Sequence, residues 1–192
     1  MNLDHVMGEI IEELKVLGKE VLNNKSDDLI DNFIKMRGNN SHIFVYGAGR
    51  SGFIGRGLVM RLVQAGFQAH FVGESATPLM NPEDLLIMIS GSGKTDMVQK
   101  ILTISKDNGM KIVLITSHPQ ENFSDIDQII DLEGKTKTDT ADSSLPLGSH
   151  FELNTFIFLE CLMAKLIEAY PAARKSMEKV ALKYRENKLV VN

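Results

Sequence analysis

From residue 42 onward, short apolar runs alternate with segments of helix length, and this alternation restricts the fold more than any other feature of the chain. The apolar runs predict five strands, at about residues 42–46, 69–72, 85–89, 111–115 and 128–132. Between them, helices are predicted at about 52–65 and 95–106. Strands that alternate with helices indicate an α/β fold with a mainly parallel sheet. Because the strands are almost continuously apolar, the sheet is predicted to be covered on both faces.

Further helices are predicted on either side of this pattern. The first carries an apolar stripe with alternating steps of four and three: Leu3, Met7, Ile10, Leu14, Leu17 and Val21. This stripe could pack on the chain's own domain or against a partner subunit, and both interpretations stay open. A second helix is predicted to end near Gly38, an apolar helix to span about 150–169, and a last one to run from Pro171 to about 187. The whole chain, residues 1–192, is interpreted as one domain.

Charge and cysteine content exclude several classes of protein. The formal net charge is −4, whereas a protein that binds the phosphate backbone of nucleic acid needs a basic surface. A single cysteine, Cys161, excludes a disulfide framework and a cysteine-built zinc site. The N-terminus lacks a basic segment and no apolar run approaches ~18 residues, so neither a signal peptide nor a membrane span is predicted. We therefore expect a cytoplasmic protein without nucleic-acid or membrane partners.

Glycine is concentrated in two loops that each follow a predicted strand and open a predicted helix. Loop one is residues 47–52, Gly-Ala-Gly-Arg-Ser-Gly, and loop two is residues 90–95, Ser-Gly-Ser-Gly-Lys-Thr. Glycines let the backbone turn tightly and approach a ligand closely, and the helix N-terminus behind each loop offers unpaired N–H groups to an anion. Hydroxyl groups in both loops add neutral donors: Ser51, Ser90, Ser92 and Thr95. The two loops are therefore candidate anion-binding elements.

The spacing alone leaves three interpretations of the loops open. Loop one matches the dinucleotide-binding pattern G-x-G-x-x-G, with Glu74 after the second strand as the ribose-binding carboxylate. Loop two ends like a P-loop, but Met88 stands where that pattern has its first glycine. A sheet of order 2-1-3-4-5 would bring both loops together, where one small phosphorylated ligand could contact them. The third interpretation is that the glycines serve only as turns.

A combination of short segments carries a resemblance to a known family. The segments are Val45–Gly52, Met60–Leu62, Val72–Glu74, Thr77–Pro78, Leu85–Ile87, Ser90–Gly93 and Pro146–Ser149, followed by Phe151 and Glu152. Together they resemble the sugar isomerase (SIS) domain family, and within it the 6-phospho-3-hexuloisomerases. The resemblance covers about residues 40–165, which we take as the core of the domain. It implies a flavodoxin-like three-layer α/β/α sandwich, with a five-stranded parallel sheet of order 2-1-3-4-5 and extra N- and C-terminal helices.

The same resemblance implies a function and a set of site residues. The family interconverts a 3-hexulose 6-phosphate and fructose 6-phosphate through an enediol, uses no cofactor, and forms homodimers or homotetramers. The sequence contains no arrangement of His and Glu that suggests a metal site. Glu152 matches its catalytic base. The small phosphorylated sugar would be bound by residues of the two loops: Gly49, Arg50, Ser51, Ser90, Gly91, Ser92, Lys94 and Thr95. Arg61 is an alternative source of positive charge.

Three positions depart from the family pattern. Lys94 stands where the family usually has a glutamate, Gln64 stands where it often has a histidine, and residues 183–187 contain no histidine. His118, after the fourth strand, and His150, close to Glu152, are therefore considered as the catalytic acid. The departures also leave a second function open, that of a sensor which binds a sugar phosphate without catalysing a reaction.

Overall fold

The computed structural model describes residues 2–20, 25–119, 123, 126–132, 145–146 and 148–185, with the side chains of 13, 16–20 and 25 outside the description. Within these ranges the chain forms six helices and five strands. In chain order they are α1 (Leu3–Glu20), α2 (Lys25–Asn39), β1 (Ile43–Gly47), α3 (Arg50–Gln64), β2 (Ala69–Phe71), β3 (Leu85–Ile89), α4 (Asp96–Asp107), β4 (Lys111–Thr116), β5 (Gln128–Asp131), α5 (Ser149–Ala169) and α6 (Pro171–Arg185).

All five strands pair in parallel in the order β2-β1-β3-β4-β5, which confirms the predicted sheet. The central strands β1 and β3 run in register from Ile43 opposite Leu85 to Gly47 opposite Ile89. Because parallel strands in this register end together, the loops that follow β1 and β3 leave the same edge of the sheet side by side. Loop one and loop two therefore meet at the point where the strand order reverses.

Helices cover both faces of the sheet, as the apolar strands predict. Val45 and Ile87 belong to a core that the sheet forms with α2, α3, α5 and α6. Phe44 and Met88, the neighbouring residues on the same two strands, belong to a second core formed with α4. All four side chains are fully buried. The alternation of side chains along each strand thus places apolar residues in both cores, and the predicted α/β class with three layers is confirmed.

The helix after loop one begins earlier than predicted. α3 starts at Arg50 rather than near Gly52, because Gly49 has a φ of +59° and turns the chain directly from the strand into the helix. At the other end of the chain, α6 starts with Pro171, as the break predicted there requires. Proline suits the first position of a helix, because the N–H that it lacks would have no partner inside the helix.

The apolar stripe of α1 packs on the chain's own core only in part. Leu14 contacts the core formed with α5, whereas Leu3 is 84% exposed and Met7 is 58% exposed. The side chains of Leu17 and Val21 lie outside the described residues. The interpretation that part of this stripe meets a partner subunit therefore stays open. Among the residues that the structure describes, no helix is both long enough and apolar enough to cross a membrane.

Two histidines form a pair near the amino end of β1. Nδ1 of His42 lies 2.8 Å from Nε2 of His70, which is part of β2. The buried Asp84 carboxylate accepts hydrogen bonds from the backbone N–H groups of His42 and Asn81, both at 2.8 Å. Burial, and after it the neighbouring His42, lower the pKa of His70, while Asp84 acts in the opposite direction.

This pair is expected to make the fold less stable at mildly acidic pH. Because the pKa of His70 is lowered in the folded protein, the unfolded chain takes up the proton first. The contribution of His70 to the free energy of unfolding is therefore fully present above pH 6.5, the ordinary pKa of histidine. It is lost as the pH drops through the lowered pKa of His70 in the folded protein. Urea denaturation between about pH 8 and pH 5 tests this, with His70→Gln as the comparison. The variant should lose less stability over that interval than the wild type, and equal losses would contradict the prediction.

Candidate active site

Loop one is a tight turn in which each glycine meets a steric requirement. Gly49 has a φ of +59°, in the region that side chains disfavour. A Cβ on Gly47 would lie 2.8 Å from the backbone carbon of Ser51, and a Cβ on Gly52 would lie 2.6 Å from the carbonyl oxygen of Gly47. The end of β1 and the first turn of α3 therefore approach more closely than any other residue type permits.

The dinucleotide interpretation rests on two features, the glycine spacing of loop one and the carboxylate of Glu74, and each has a structural explanation. The steric requirements of the turn explain the G-x-G-x-x-G spacing by themselves. Glu74, the candidate ribose-binding carboxylate, is paired with Arg56, whose Nε lies 3.1 Å from Oε1. The same guanidinium lies over the ring of Phe71, 3.8 Å from its centroid. The resemblance of loop one to a dinucleotide-binding site is thus accounted for by packing.

Loop two is held to the sheet by hydrogen bonds of its own. The Ser90 hydroxyl accepts a bond of 3.1 Å from the backbone N–H of Gly93, and the Thr116 hydroxyl at the end of β4 donates one of 2.9 Å to the carbonyl of Gly91. Gly93 has a φ of +64°, and a Cβ there would lie 2.4 Å from the ring of Phe123. The loop is therefore fixed at the carboxyl edge of the sheet by contacts within the protein.

Three helices begin around the space between the two loops. Gly49, Thr95 and Gly148 are the N-cap residues of α3, α4 and α5, and none of these three makes a side-chain capping hydrogen bond. The first-turn N–H groups of a helix need partners outside the helix, and the helix dipole places partial positive charge at the same end. Three N-termini that converge without side-chain caps provide a strongly favourable environment for an anion.

A cavity of about 290 Å³ lies between these N-termini, close to the lower end of the range of ~300–1,000 Å³ that is usual for small-molecule sites. We call it the site cavity. Its lining comes from loop one, the end of β3, loop two and the start of α5: Ala48, Gly49, Arg50, Ser51, Ile89, Ser90, Gly91, Ser92, Thr95, Gly148, Phe151 and Glu152.

Two charged side chains meet in the site cavity. Nε of Arg50, on the first turn of α3, lies 2.9 Å from Oε1 of Glu152, on the first turn of α5. The Glu152 side chain is 20% exposed and that of Arg50 is 48% exposed. The ion pair thus connects loop one, which is predicted to bind phosphate, to Glu152, the candidate base. More than half of the chain separates the two residues, so no local sequence pattern predicts their direct contact.

Most of the predicted site residues lie together on the lining of the site cavity. They are the candidate base and seven of the eight predicted binding residues: Glu152, Gly49, Arg50, Ser51, Ser90, Gly91, Ser92 and Thr95. Gly148 also lines it and was not predicted as a site residue. A glycine directly before an apolar helix is the signal that could have identified it, because its φ of +75° and its place as N-cap of α5 follow from that position.

Four other candidates lie away from this lining. Lys94 is exposed, and His150 is 7% exposed within the first turn of α5. His118 lies after β4, with Nδ1 3.2 Å from the hydroxyl of Ser117. Arg61 forms two bonds of 3.2 Å with Glu160 of α5, outside the site cavity. The described ranges contain no group of three His, Cys, Asp or Glu side chains that could hold a metal ion.

Comparison with known proteins gives consistent matches over most of the chain. Residues 35–141 match the family model of the SIS domain. A 3-hexulose-6-phosphate isomerase of Methanocaldococcus jannaschii is 37% identical over 166 residues, which are 86% of this chain and 87% of that protein. A protein of the same name from Bacillus subtilis is 33% identical over 173 residues, 88% of this chain and 91% of its own. A crystal structure of a Methanococcus jannaschii protein, from which that activity was inferred, matches with a TM-score of 0.76 and 36% identity, over 92% of this chain and 95% of that one.

Proposed function

The chain belongs to the SIS domain family, and we propose that its isomerase activity is the interconversion of a 3-hexulose 6-phosphate and fructose 6-phosphate. Relatives that carry the name 3-hexulose-6-phosphate isomerase and align with most of the chain support this substrate. The observation that carries the proposal is the position of one carboxylate, Glu152, in the same cavity as two loops suited to a phosphate group.

The phosphate group of the substrate would occupy the part of the site cavity between loops one and two. The uncapped N-termini of α3 and α4 lie there, and Ser51, Ser92 and Thr95 bring hydroxyl groups to the same lining. A dianion gains from both the helix dipoles and the N–H groups. Arg50 adds a guanidinium, which binds phosphate through two parallel hydrogen bonds.

Glu152 would move the proton between the two carbon atoms. In the 3-hexulose the carbonyl group is at C3, so the carboxylate removes the proton from C2 and a 2,3-enediol forms. The C3 oxygen takes up a proton, the C2 hydroxyl loses one to become the new carbonyl, and Glu152 returns its proton to C3. Negative charge on the C3 oxygen would be stabilised by the positive end of α5, whose residues Gly148 and Phe151 line the site cavity together with Glu152.

The proposal includes the remaining properties expected from the sequence. We place residues 1–192 in one domain that acts in the cytoplasm without a cofactor and without nucleic-acid or membrane partners. We also propose that the protein is a homodimer or homotetramer. Exposed apolar side chains on α3 and α5 support this assembly, since Phe53 is 74%, Met60 53% and Phe156 49% exposed.

Proton exchange followed by NMR tests the reaction. The wild-type protein in D₂O should replace the C3 proton of fructose 6-phosphate with deuterium and leave the C1 protons in place, because only C3 takes part in a 2,3-enediol. Thermal stabilisation by fructose 6-phosphate without exchange would support the non-catalytic sensor instead. If a nicotinamide nucleotide stabilised the protein and sugar phosphates did not, the dinucleotide interpretation of loop one would replace the proposal.

A further inference from the structure

We propose that Arg50 is a switch operated by the phosphate group of the substrate. The guanidinium pairs with the Glu152 carboxylate, and a phosphate that binds to the guanidinium would break this pair and leave the carboxylate able to act as the base. This inference rests on the proposed function. It adds a condition to that function, namely that the base is released only when a phosphate occupies the site cavity.

The ion pair places Arg50 in direct competition with the reaction. Its Nε lies 2.9 Å from Oε1 of Glu152, and both side chains line the site cavity. A carboxylate oxygen that accepts a charged N–H bond directs a lone pair toward that donor and not toward a substrate carbon. As long as the pair persists, the lone pair of Oε1 that faces Arg50 is not available to remove a proton from C2 or C3.

A phosphate dianion is the better partner for the guanidinium. It carries two negative charges against one on the carboxylate, and like a carboxylate it can accept two parallel hydrogen bonds from arginine. Arg50 lies between Gly49 and Ser51, so its side chain starts at the position where the phosphate is expected. The side chain is 48% exposed, which leaves it room to turn away from Glu152. The uncapped N-termini of α3 and α4 stabilise the anion in that position.

A second ion pair between the same two helices provides a matched control. Arg61 of α3 and Glu160 of α5 form two bonds of 3.2 Å, and their side chains are 38% and 40% exposed. This pair has the same charges as Arg50 and Glu152 and joins the same helices, but it does not line the site cavity. Substitution of Arg61 therefore removes an arginine–glutamate contact between α3 and α5 without touching the proposed switch.

The switch predicts that phosphate activates the site even when it is not attached to the sugar. Fructose without its phosphate group would meet a Glu152 carboxylate that is still paired with Arg50. A free phosphite dianion in the phosphate position should release the base, so that binding energy at a distant group is used to raise the rate at the reacting carbon. Exchange of the C3 proton of fructose in D₂O is the reaction to follow, with and without phosphite.

In the wild type, saturating phosphite should accelerate exchange from fructose by at least about tenfold. In Arg50→Met the exchange without phosphite should rise above the wild-type value, because Oε1 of Glu152 has lost its contact with the guanidinium, and phosphite should have no further effect. Arg50→Lys keeps one charge but not the paired hydrogen bonds, and should show an intermediate activation. Arg61→Met should behave like the wild type.

The possible failures can be told apart. Phosphite activation of Arg50→Met equal to that of the wild type would overturn the switch, and so would its loss in Arg61→Met. Wild-type protein that exchanges fructose 6-phosphate but shows no activation by phosphite would also overturn the switch and leave the proposed function intact. Wild-type protein that exchanges neither sugar would instead contradict the proposed function.

Discussion

Glu152→Gln is expected to lower the rate of C3 proton exchange from fructose 6-phosphate by about 10²–10⁴-fold, the usual contribution of a positioned general base. The amide has the shape of the carboxylate but cannot accept a proton from carbon. Binding of the sugar phosphate should persist, because the proposed phosphate contacts come from loops one and two and not from Glu152. Exchange by NMR and thermal stabilisation by fructose 6-phosphate measure the two properties separately.

Glu160→Gln is the matched control for this variant. Glu160 lies on the same helix, α5, and is also paired with an arginine of α3, but it does not line the site cavity. The control should exchange the C3 proton at the wild-type rate. A simpler role for Glu152 is that of a first-turn carboxylate that stabilises the N-terminus of α5. In that case Glu152→Gln would reduce the thermal stability and change the exchange rate by less than about threefold, and the assignment of the base would be wrong.

Gly52→Ala is expected to destabilise the fold by about 1–3 kcal/mol, the cost of forcing an extra group into a packed region. The added Cβ would lie 2.6 Å from the carbonyl oxygen of Gly47, a backbone atom that cannot rotate away. The end of β1 and the first turn of α3 must therefore move apart. Because Gly49, Arg50 and Ser51 lie in that turn, stabilisation by fructose 6-phosphate should be lost together with the stability.

Gly57→Ala tests whether the effect comes from the contact or from the loss of a helical glycine. Gly57 is also in α3, but a Cβ there would have no heavy atom within 4 Å. Alanine is the better helix former, so this variant should be more stable than the wild type by about 0.5–1 kcal/mol. Urea denaturation measures both variants. If Gly52→Ala were as stable as Gly57→Ala, the close approach of β1 and α3 in loop one would be contradicted.

The parts of the fold that could be predicted are those that depend on local patterns. The strands β1, β3 and β4 are almost continuously apolar, and each was predicted to within one residue, because burial on both faces acts on nearly every position. The start of α3 was less predictable. The glycines of loop one indicate a turn, but the conformation of Gly49 that allows α3 to begin at Arg50 depends on how closely the helix packs against β1.

The candidate site was also predicted only in part: the position of its loops could be predicted, and the directions of its side chains could not. Parallel strands bring the loops that follow them to one edge of the sheet. That loops one and two lie side by side there followed from the order 2-1-3-4-5, which the resemblance to the SIS domain family implied. The direction of a single side chain could not be predicted. Lys94 lies between Ser92 and Thr95 in the sequence, yet those two line the site cavity and Lys94 does not.

The residue pattern by itself determined the α/β class, the mainly parallel sheet and the two glycine loops that follow its strands. These follow from hydrophobic periodicity and from chain direction, which are properties of neighbouring residues, whereas the order of the strands was implied by the resemblance to the SIS domain family. Only the tertiary structure brought Arg50 to Glu152 and added the N-terminus of α5 to those of α3 and α4. Such contacts join distant parts of the chain and depend on how α3 and α5 pack against one core, so that a shift of one residue along either helix, about 100° of rotation, would break them.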